Sequence, residues 1–418
     1  MSDKENIILI VDPLVSTEYS VKIFRKYGFK VFAFWTKEID IPYFKNSITA
    51  DLFYKSLLST QDFEKDVRLI NNELGNTDVI SLVICGTDSS VAYSDRLNNY
   101  FCPDLENNYK TSFLRFDKFQ MIQALKNAGL PAQNQSYIDN IEEFDIDEYT
   151  YPIIVKPTAY SSSSYGVRKC FNKDESVKQI REILLQDSVY GHKTTALIQE
   201  YISGDEYAIN TVSYKGKHHL ISVSKYSKNV QNGQFLYKFQ EIVNDPSLLS
   251  FIEEYVSKVL DILDVKTGFA HTEIKVQDGI PYLIELNPRF SGASGCFNYM
   301  EKESCGTSQQ EALCRLLLNL PVDVKQTEGS YALYFLNNFN ICYDQLDLKD
   351  IRALPSYLNS KVIKDQDLDI NETKDFSLND TACYIILKNT NFDYLSKDIS
   401  NIDILVRENK VFRISESN

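Results

Sequence analysis

The chain has 418 residues, 43% hydrophobic and 24% charged, with 44 Lys and Arg against 58 Asp and Glu for a net charge of −14. That length predicts roughly three domains, each able to bury a core. The acid excess argues against nucleic acid or an anionic membrane as partner, since both demand basic surface, although a local set of Lys and Arg can still hold a nucleotide.

Residues 7–11 read as a buried strand ended by Asp12, too short for a signal-peptide core or a membrane span. A helix over 18–27 stops at Gly28, and a second strand covers 30–34. A helix over 62–74 closes at Gly75, a strand covers 79–85, and a helix covers 89–100. Strands alternating with helices predict a parallel sheet with helices on its faces. No GxGxxG follows the first strand, so a nicotinamide role is unsupported. A helix over 118–128 ends in Gly129-Leu130-Pro131, a glycine stop with proline just beyond. The acidic stretch 139–148 reads as an exposed helix. From 151 onward short β-runs dominate: 153–156, 166–170, 196–200, 206–214, 219–224, then 269–276 and 281–285 after a helix over 247–263. This is an antiparallel α+β texture, and strands with one or two helices return over 330–411.

The acids near the end of this region form the most informative cluster. Glu273 and Glu285 stand in two apolar runs separated by Gln277-Asp278-Gly279, a hairpin signal. Glu285 and Asn287 are two apart and share a strand face, and pairing brings Glu273 to the same face. Three oxygen donors without thiolate or paired His suit a hard cation such as Mg²⁺. Arg289 extends the row with a cationic fork suited to a phosphoryl or carboxylate group. A solvated surface hairpin fits poorly with the apolar Leu283, Ile284 and Leu286. Upstream, Lys156 ends an apolar run before Ser161, Ser162, Ser163, Ser164 and Gly166; such small residues let main-chain N–H groups approach phosphate oxygens. A strand running into Glu200, Tyr201 and Ile202 and turning back to Glu206 can offer main-chain groups to adenine and a carboxylate to ribose. Eight cysteines form no CxxC pair, and Cys296, Cys305 and Cys314 lie nine apart, which predicts reduced thiols in a cytoplasmic protein.

Lys118 before its Gly-Pro-terminated helix, Lys156 in IVKP, the small-residue loop, QEYISGDEY, HTEI and IELNPR occur in the order and spacing of the ATP-grasp superfamily, which this chain resembles. Within it the chain is most similar to bacterial L-amino-acid ligases of the bacilysin-synthetase type. That likeness runs through VDPLVSTEYSVKIFRKYGFKVFAF, ICGTDSSVAYSDRL, LRFDKFQMIQALKNAGLPA and IRALPSYLN. The resemblance implies a multidomain α/β and α+β architecture. It comprises an N-terminal parallel α/β pre-ATP-grasp domain over 1–115 and an ATP-grasp region over 116–325. The latter holds a helical linker, a lid near 150–215 and a metal-binding subdomain, and a C-terminal α+β subdomain over 326–418 completes it.

The resemblance also implies roles. Lys118 and Lys156 contact phosphates and adenine, and the 161–166 loop closes over the phosphates. Glu200 with the Tyr201 and Ile202 backbone holds adenine, Glu206 the ribose, and Lys225 a phosphate. Glu273, Glu285 and Asn287 bind two Mg²⁺, with Mn²⁺ as a substitute, and Arg289 steadies an acyl phosphate. The implied reaction joins a carboxylate to an amine, both small molecules of amino-acid type, releasing ADP and phosphate; a homodimer is one expected assembly. Asp88, Glu241 and His271 are candidates for holding the amine or taking its proton, and Ser291 and Gly292 for offering N–H groups to the oxyanion. Two departures stand out: Ser161 and Ser163 replace family glycines, and Asp88 replaces a frequent Glu, one methylene longer. The competing readings are a carboxylating or carbamoyl-type ATP-grasp enzyme and a non-catalytic nucleotide-binding scaffold.

Overall fold

Four parallel strands open the chain: β1 (Glu5–Val11), β2 (Lys30–Trp35), β3 (Lys55–Leu58) and β4 (Asp78–Cys85), in the order β3-β2-β1-β4. The computed structural model describes residues 4–14, 16–37, 50–143, 149–159, 166–185, 193, 195–337, 345–363 and 381–413. Ile8, Ile10, Val31 and Ala33 pack on Val21 and Phe24 of the helix Thr17–Lys26. Ile7, Leu9, Phe32 and Phe34 pack on Val67 and Ile70 of the helix Phe63–Glu73 and on Leu97. Covering on both faces explains why these strands read as continuous apolar runs. The edge strand β3 was not anticipated, because its alternating half-exposed residues carry no such run.

The strand order changes direction between β1 and β4, so their exit loops flank a crevice at the carboxyl ends. Gly86 makes the close approach possible there: a Cβ would lie 2.4 Å from the Asp12 carbonyl oxygen.

A second sheet is antiparallel, with β5 (Gln135–Ile138), β6 (Ile153–Pro157), β7 (Arg168–Cys170) and β8 (Ala196–Glu200) in the order β5-β8-β6-β7. Ile180 and Ile183 of the helix Lys173–Leu185 close its core on Ile153, Val155 and Ile198.

The third sheet has eight antiparallel strands. It uses β9 (Asp205–Tyr214), β10 (Lys217–Gln231), β11 (Gln234–Ile242), β12 (Gly268–Gln277), β13 (Ile280–Asn287) and β14 (Ser330–Asn337). A small pair, β15 (Gln345–Leu346) with β18 (Phe412–Arg413), stands apart, while β16 (Tyr357–Val362) and β17 (Thr381–Asn389) complete the large sheet. Its order is β13-β12-β9-β10-β11-β14-β17-β16.

One face of this sheet buries Ile209, Val223, Ala270, Ile274 and Leu286. They pack on Val256 and Val259 of the helix Pro246–Ile262 and on Met121 and Leu125 of the helix Lys118–Asn127. On the other face Val212 and Phe269 join the first domain's core with Leu313 of the helix Gln309–Leu317. Further along that face, Leu333 and Ile386 pack on Phe297 and Met300 of the helix Cys296–Cys305. Between these two apolar patches lies a polar band.

Two expectations differ from the structure. Of the helix expected over 139–148, a 3₁₀ turn Ile141–Glu143 stands among the described residues, and 144–148 lie outside them. The strand expected over 219–224 runs from Lys217 to Gln231 and turns at Asn232-Gly233, both at positive φ (51° and 77°), into β11.

Candidate functional site

The polar band is built by ladder register. Glu285 pairs Glu273, Asn287 pairs His271, and His271 in turn pairs Asn210 on β9. Paired and alternate residues share a face, so Glu206, Asn210, His271, Glu273, Glu285 and Asn287 all point into one cleft.

Lys118, the first residue of its helix, is placed by Asp117, whose carboxylate accepts from the N–H groups of Phe119 and Gln120 at 2.9 and 3.0 Å. Its Nζ stands 2.9 Å from Glu285 Oε1. Lys156, at the end of β6, is buried and donates to the Ile284 carbonyl at 3.4 Å. Burial and the neighbouring Lys118 charge pull its ammonium down to about 8, against the opposing pull of Glu285, Glu273 and Glu206.

From the first domain, Asp88 reaches the same place: Arg289 donates to its Oδ2 through Nε at 3.0 Å and Nη2 at 2.9 Å. The Asn287 amide meets Asp88 Oδ1 at 3.2 Å and Glu285 Oε1 at 3.3 Å. Its nitrogen can donate to both, whereas its oxygen can face them only with a cation among the three. Glu285 and Asn287, with Glu273 directly across the hairpin from Glu285, give two carboxylates and an amide, a donor set that fits a hard divalent ion. Among the described residues no group of three His, Cys, Asp or Glu side chains is gathered for metal binding.

Glu273 is partly buried against Tyr226, whose hydroxyl donates to it at 3.2 Å, with His271 Nε2 at 3.7 Å. Burial alone would raise its pKa, but the Lys228 charge, His271 and Tyr226 outweigh it and hold the carboxyl well below its ordinary range. Lys228 pairs with Glu206 at 2.5 Å and lies over the rings of Tyr226 and Tyr237, 4.4 and 4.2 Å from their centroids. Its pKa is raised, because the nearby carboxylates, Glu206 first, more than offset its burial.

Two expected residues belong elsewhere. Lys225 pairs Tyr207 and Glu241 across its ladders, and Tyr207 alternates with Ala208, the partner of Glu273. Lys225 and Glu241 therefore face the opposite side of the sheet, where Lys225 pairs with Asp205 at 2.8 Å. A one-residue change of parity moves a strand residue through the sheet. The cation that reaches the cleft from β10 is Lys228.

At the other end, Glu200 accepts from the Asn134 N–H at 3.3 Å, and the Ile202 carbonyl accepts from Lys275 at 3.2 Å. Tyr201 carries Lys169 over its ring at 3.6 Å. Gly166, at φ 72°, packs against Pro157 and its carbonyl accepts from Gln179 at 3.0 Å. Ser161, Ser162, Ser163 and Ser164 lie outside the described residues.

The loop after Arg289 is already bonded. Ser291 N–H donates to Gln309 Oε1 at 3.2 Å, and the Ser291 and Gly292 carbonyls accept from Ser16 Oγ at 2.8 and 2.9 Å. The Ser291 N–H is thus engaged, not free for an oxyanion as expected. Lys228, Tyr226, Tyr237, Asn210 and Glu301 were not singled out from the sequence. For Lys228 and Tyr226 the usable signal was even-numbered parity with Ser224 on a longer strand.

Comparison with known proteins fits this geometry. Residues 149–297 match the family described as the ATP-grasp domain. Dapdiamide A synthase of Enterobacter agglomerans is 25% identical over 246 residues, 57% of this chain and 57% of that protein. A D-alanine–D-alanine ligase of Christiangramia forsetii is 28% identical over 209 residues, 46% of this chain and 60% of that protein. The chain thus spans less than two thirds of either relative's length. Among solved structures, an L-amino acid ligase from Bacillus licheniformis superposes with a TM-score of 0.78 at 18% identity, covering 100% of both chains. The ADP complex of an N5-carboxyaminoimidazole ribonucleotide synthetase superposes with a TM-score of 0.70 at 14% identity, covering 97% of this chain and 99% of that one.

Proposed function

We propose that this chain, which carries an ATP-grasp domain, is an ATP-dependent carboxylate–amine ligase that joins amino-acid substrates through an acyl phosphate. The observation that carries the reading is the meeting of Arg289, Asp88, Asn287, Glu285 and Lys118 at one point, contributed by separate parts of the fold. The names of the curated relatives, a synthase and a D-alanine–D-alanine ligase, point the same way.

In this reading Lys118 and Lys156 neutralise the phosphates of ATP while a substrate carboxylate attacks the γ-phosphorus, the bond to the β–γ bridging oxygen breaks and ADP leaves. Glu273, Glu285 and Asn287 would hold Mg²⁺, which supplies further positive charge beside the transferring oxygens. Arg289, steadied by Asp88, faces the acyl phosphate and then the tetrahedral adduct formed when the amine attacks. The C–N bond forms, the C–O bond to phosphate breaks, and the amine proton leaves to solvent. Glu206, Glu200 and the Tyr201–Ile202 main chain would border the nucleoside. Residues 1–115 would supply the amine side of the cleft, 116–325 the nucleotide side, and 326–418 the far wall of the large sheet. The seven cysteines among the described residues are buried free thiols, which supports a cytoplasmic setting. Among the described residues no helix is long and apolar enough to cross a membrane.

The test is phosphate release by purified protein over pairs of amino acids and other carboxylates and amines, with product mass. One phosphate per amide is expected, and Glu285→Ala should abolish turnover. If no carboxylate elicits ATP cleavage, the ligase reading fails.

A further inference from the structure

Glu301 is a fully buried carboxylate, and among the described residues no cation pairs with it. Placing a carboxylate there costs several kcal/mol unless hydrogen bonds compensate. Three hydrogen bonds oppose that cost, although burial still pushes the carboxyl up to about 7: Ser222 Oγ at 2.6 Å and Asn210 Nδ2 at 3.0 Å donate to Oε1, and the Gln309 N–H donates to Oε2 at 2.8 Å. The Gln309 N–H belongs to the first turn of the helix Gln309–Leu317, where it has no partner within the helix. Two of them, through Asn210 and Gln309, lead on toward the cleft.

The first arm runs through Asn210. Asn210 turns its nitrogen to Glu301 Oε1 and its oxygen to His271, whose Nδ1 lies 2.8 Å away. The His271 ring is thereby held with Nε2 toward Glu273. The same Asn210 nitrogen reaches Ser291 Oγ at 3.3 Å. The second arm runs through Gln309, whose main chain Glu301 holds. The Gln309 side chain accepts from the Ser291 N–H and donates to the carbonyls of Thr211 and Ala270 at 2.9 and 3.0 Å. Both arms close on Ser291, two residues after Arg289.

We propose that Glu301 is a positioning residue of the ligase reaction, fixing through Asn210 and Gln309 the Ser291 loop that sets Arg289, and with it the retention of the acyl phosphate until the amine attacks. This rests on the ligase reading above. A loop released from Glu301 would let Arg289 drift, so the acyl phosphate would be lost to water while ATP, bound by other residues, would be held as before. The conservative change Glu301→Gln already breaks the pattern: an amide nitrogen in place of Oε2 faces the Gln309 N–H donor, and the alternative orientation faces the Asn210 donor.

The experiment measures phosphate released per amide formed, with KM for ATP, kcat and thermal midpoint, in the full-length protein. For Glu301→Gln, kcat for amide should fall about tenfold, equal to about 1.4 kcal/mol, with ATP KM within about twofold. The ratio of phosphate to amide should rise clearly above one. Gln309→Ala, which leaves the Glu301 bond to the main chain in place, should show the same uncoupling and serves if the first variant does not fold. The pair Glu301→Gln with Asn210→Asp re-creates a donor facing an acceptor and should restore coupling. A ratio that stays at one in both single variants overturns the inference, as does a loss in which kcat and ATP KM worsen together in step with the thermal midpoint. If wild-type protein forms no amide with any pair, the ligase reading falls, and this role with it. If wild type is coupled and the variants remain so, only this role falls.

Discussion

At the proposed nucleotide site, Lys156 is a buried cation at the end of β6. Its ammonium, pulled down to about 8 by burial and by Lys118, is mostly charged at neutral pH and loses its charge as the pH rises through that value. A bound triphosphate favours the charged form, so ATP affinity should be full below pH 8 and weaken above it, by at most about tenfold per pH unit. Lys156→Arg keeps its charge throughout and should flatten that profile between pH 7 and 9.5, read by calorimetric titration. A wild-type affinity constant across this range would contradict the assignment. Arg289 is the second case. Both of its bonds to Asp88 end on one oxygen, leaving Oδ1 to Asn287. A lysine offers a point charge in place of the fork, so Arg289→Lys should cost about 10²-fold in kcat, a size typical for removal of an oxyanion-type donor. Equal kcat for the two proteins would place the acyl phosphate elsewhere.

Among the elements, the β10–β11 hairpin links two sheets. Its strands belong to the large sheet, yet its tip meets the small antiparallel one: Lys169 N–H donates to the Gly233 carbonyl at 2.8 Å, and Arg168 Nη1 to the Asn232 carbonyl at 2.8 Å. Gly233 stands at φ 77°, and a Cβ there would lie 2.7 Å from the Lys169 carbonyl oxygen. Gly233→Ala should therefore push on β7 and cost about 1–2 kcal/mol, with a raised KM for ATP; unchanged thermal midpoint and KM would show that the contact is dispensable. This hairpin was only half legible in the sequence. The Asn232-Gly233 turn carries the type I′ signature. But Tyr226, Lys228 and Gln240 face a polar cleft, so the apolar alternation that marks a strand fails along it. The β12–β13 hairpin was read correctly because its other face buries Ile274, Leu283 and Leu286. Elements that pack on a core announce themselves, and those that line a cleft do so less.

For the molecule as a whole, the question is what seats the N-terminal domain against the large sheet, since Asp88 must reach Arg289. Apolar packing of Ile10 and Phe24 with Phe269 and Phe290 is one part. Arg115 is another. It is fully buried, donates to Asp95 Oδ2 at 2.8 Å in the first domain, and reaches the Leu263 carbonyl at 2.9 Å beyond the helix Pro246–Ile262. Burial raises the Asp95 pKa, and Arg115 opposes that rise. Removing the arginine strands a buried carboxylate, so Arg115→Ala should destabilise the protein by about 3–5 kcal/mol, measured by urea unfolding. A loss under about 1 kcal/mol would mean that apolar packing alone seats the domain.

What the sequence determined by itself was local: a parallel sheet followed by antiparallel hairpins, and a row of Glu273, Glu285, Asn287 and Arg289. Strand periodicity and one short turn suffice for that row, because its members are two residues apart or directly paired. Tertiary structure alone decided the rest. Asp88 and Arg289 are separated by 201 positions, and no local propensity encodes their bond. The choice of Lys228 over Lys225 depends on which face of the sheet the helices cover, since strand parity fixes two faces but not which is the cleft. Glu301 sits on a helix whose pattern marks it only as inward-facing; what it meets there, Asn210, Ser222 and Gln309, comes from two strands and another helix.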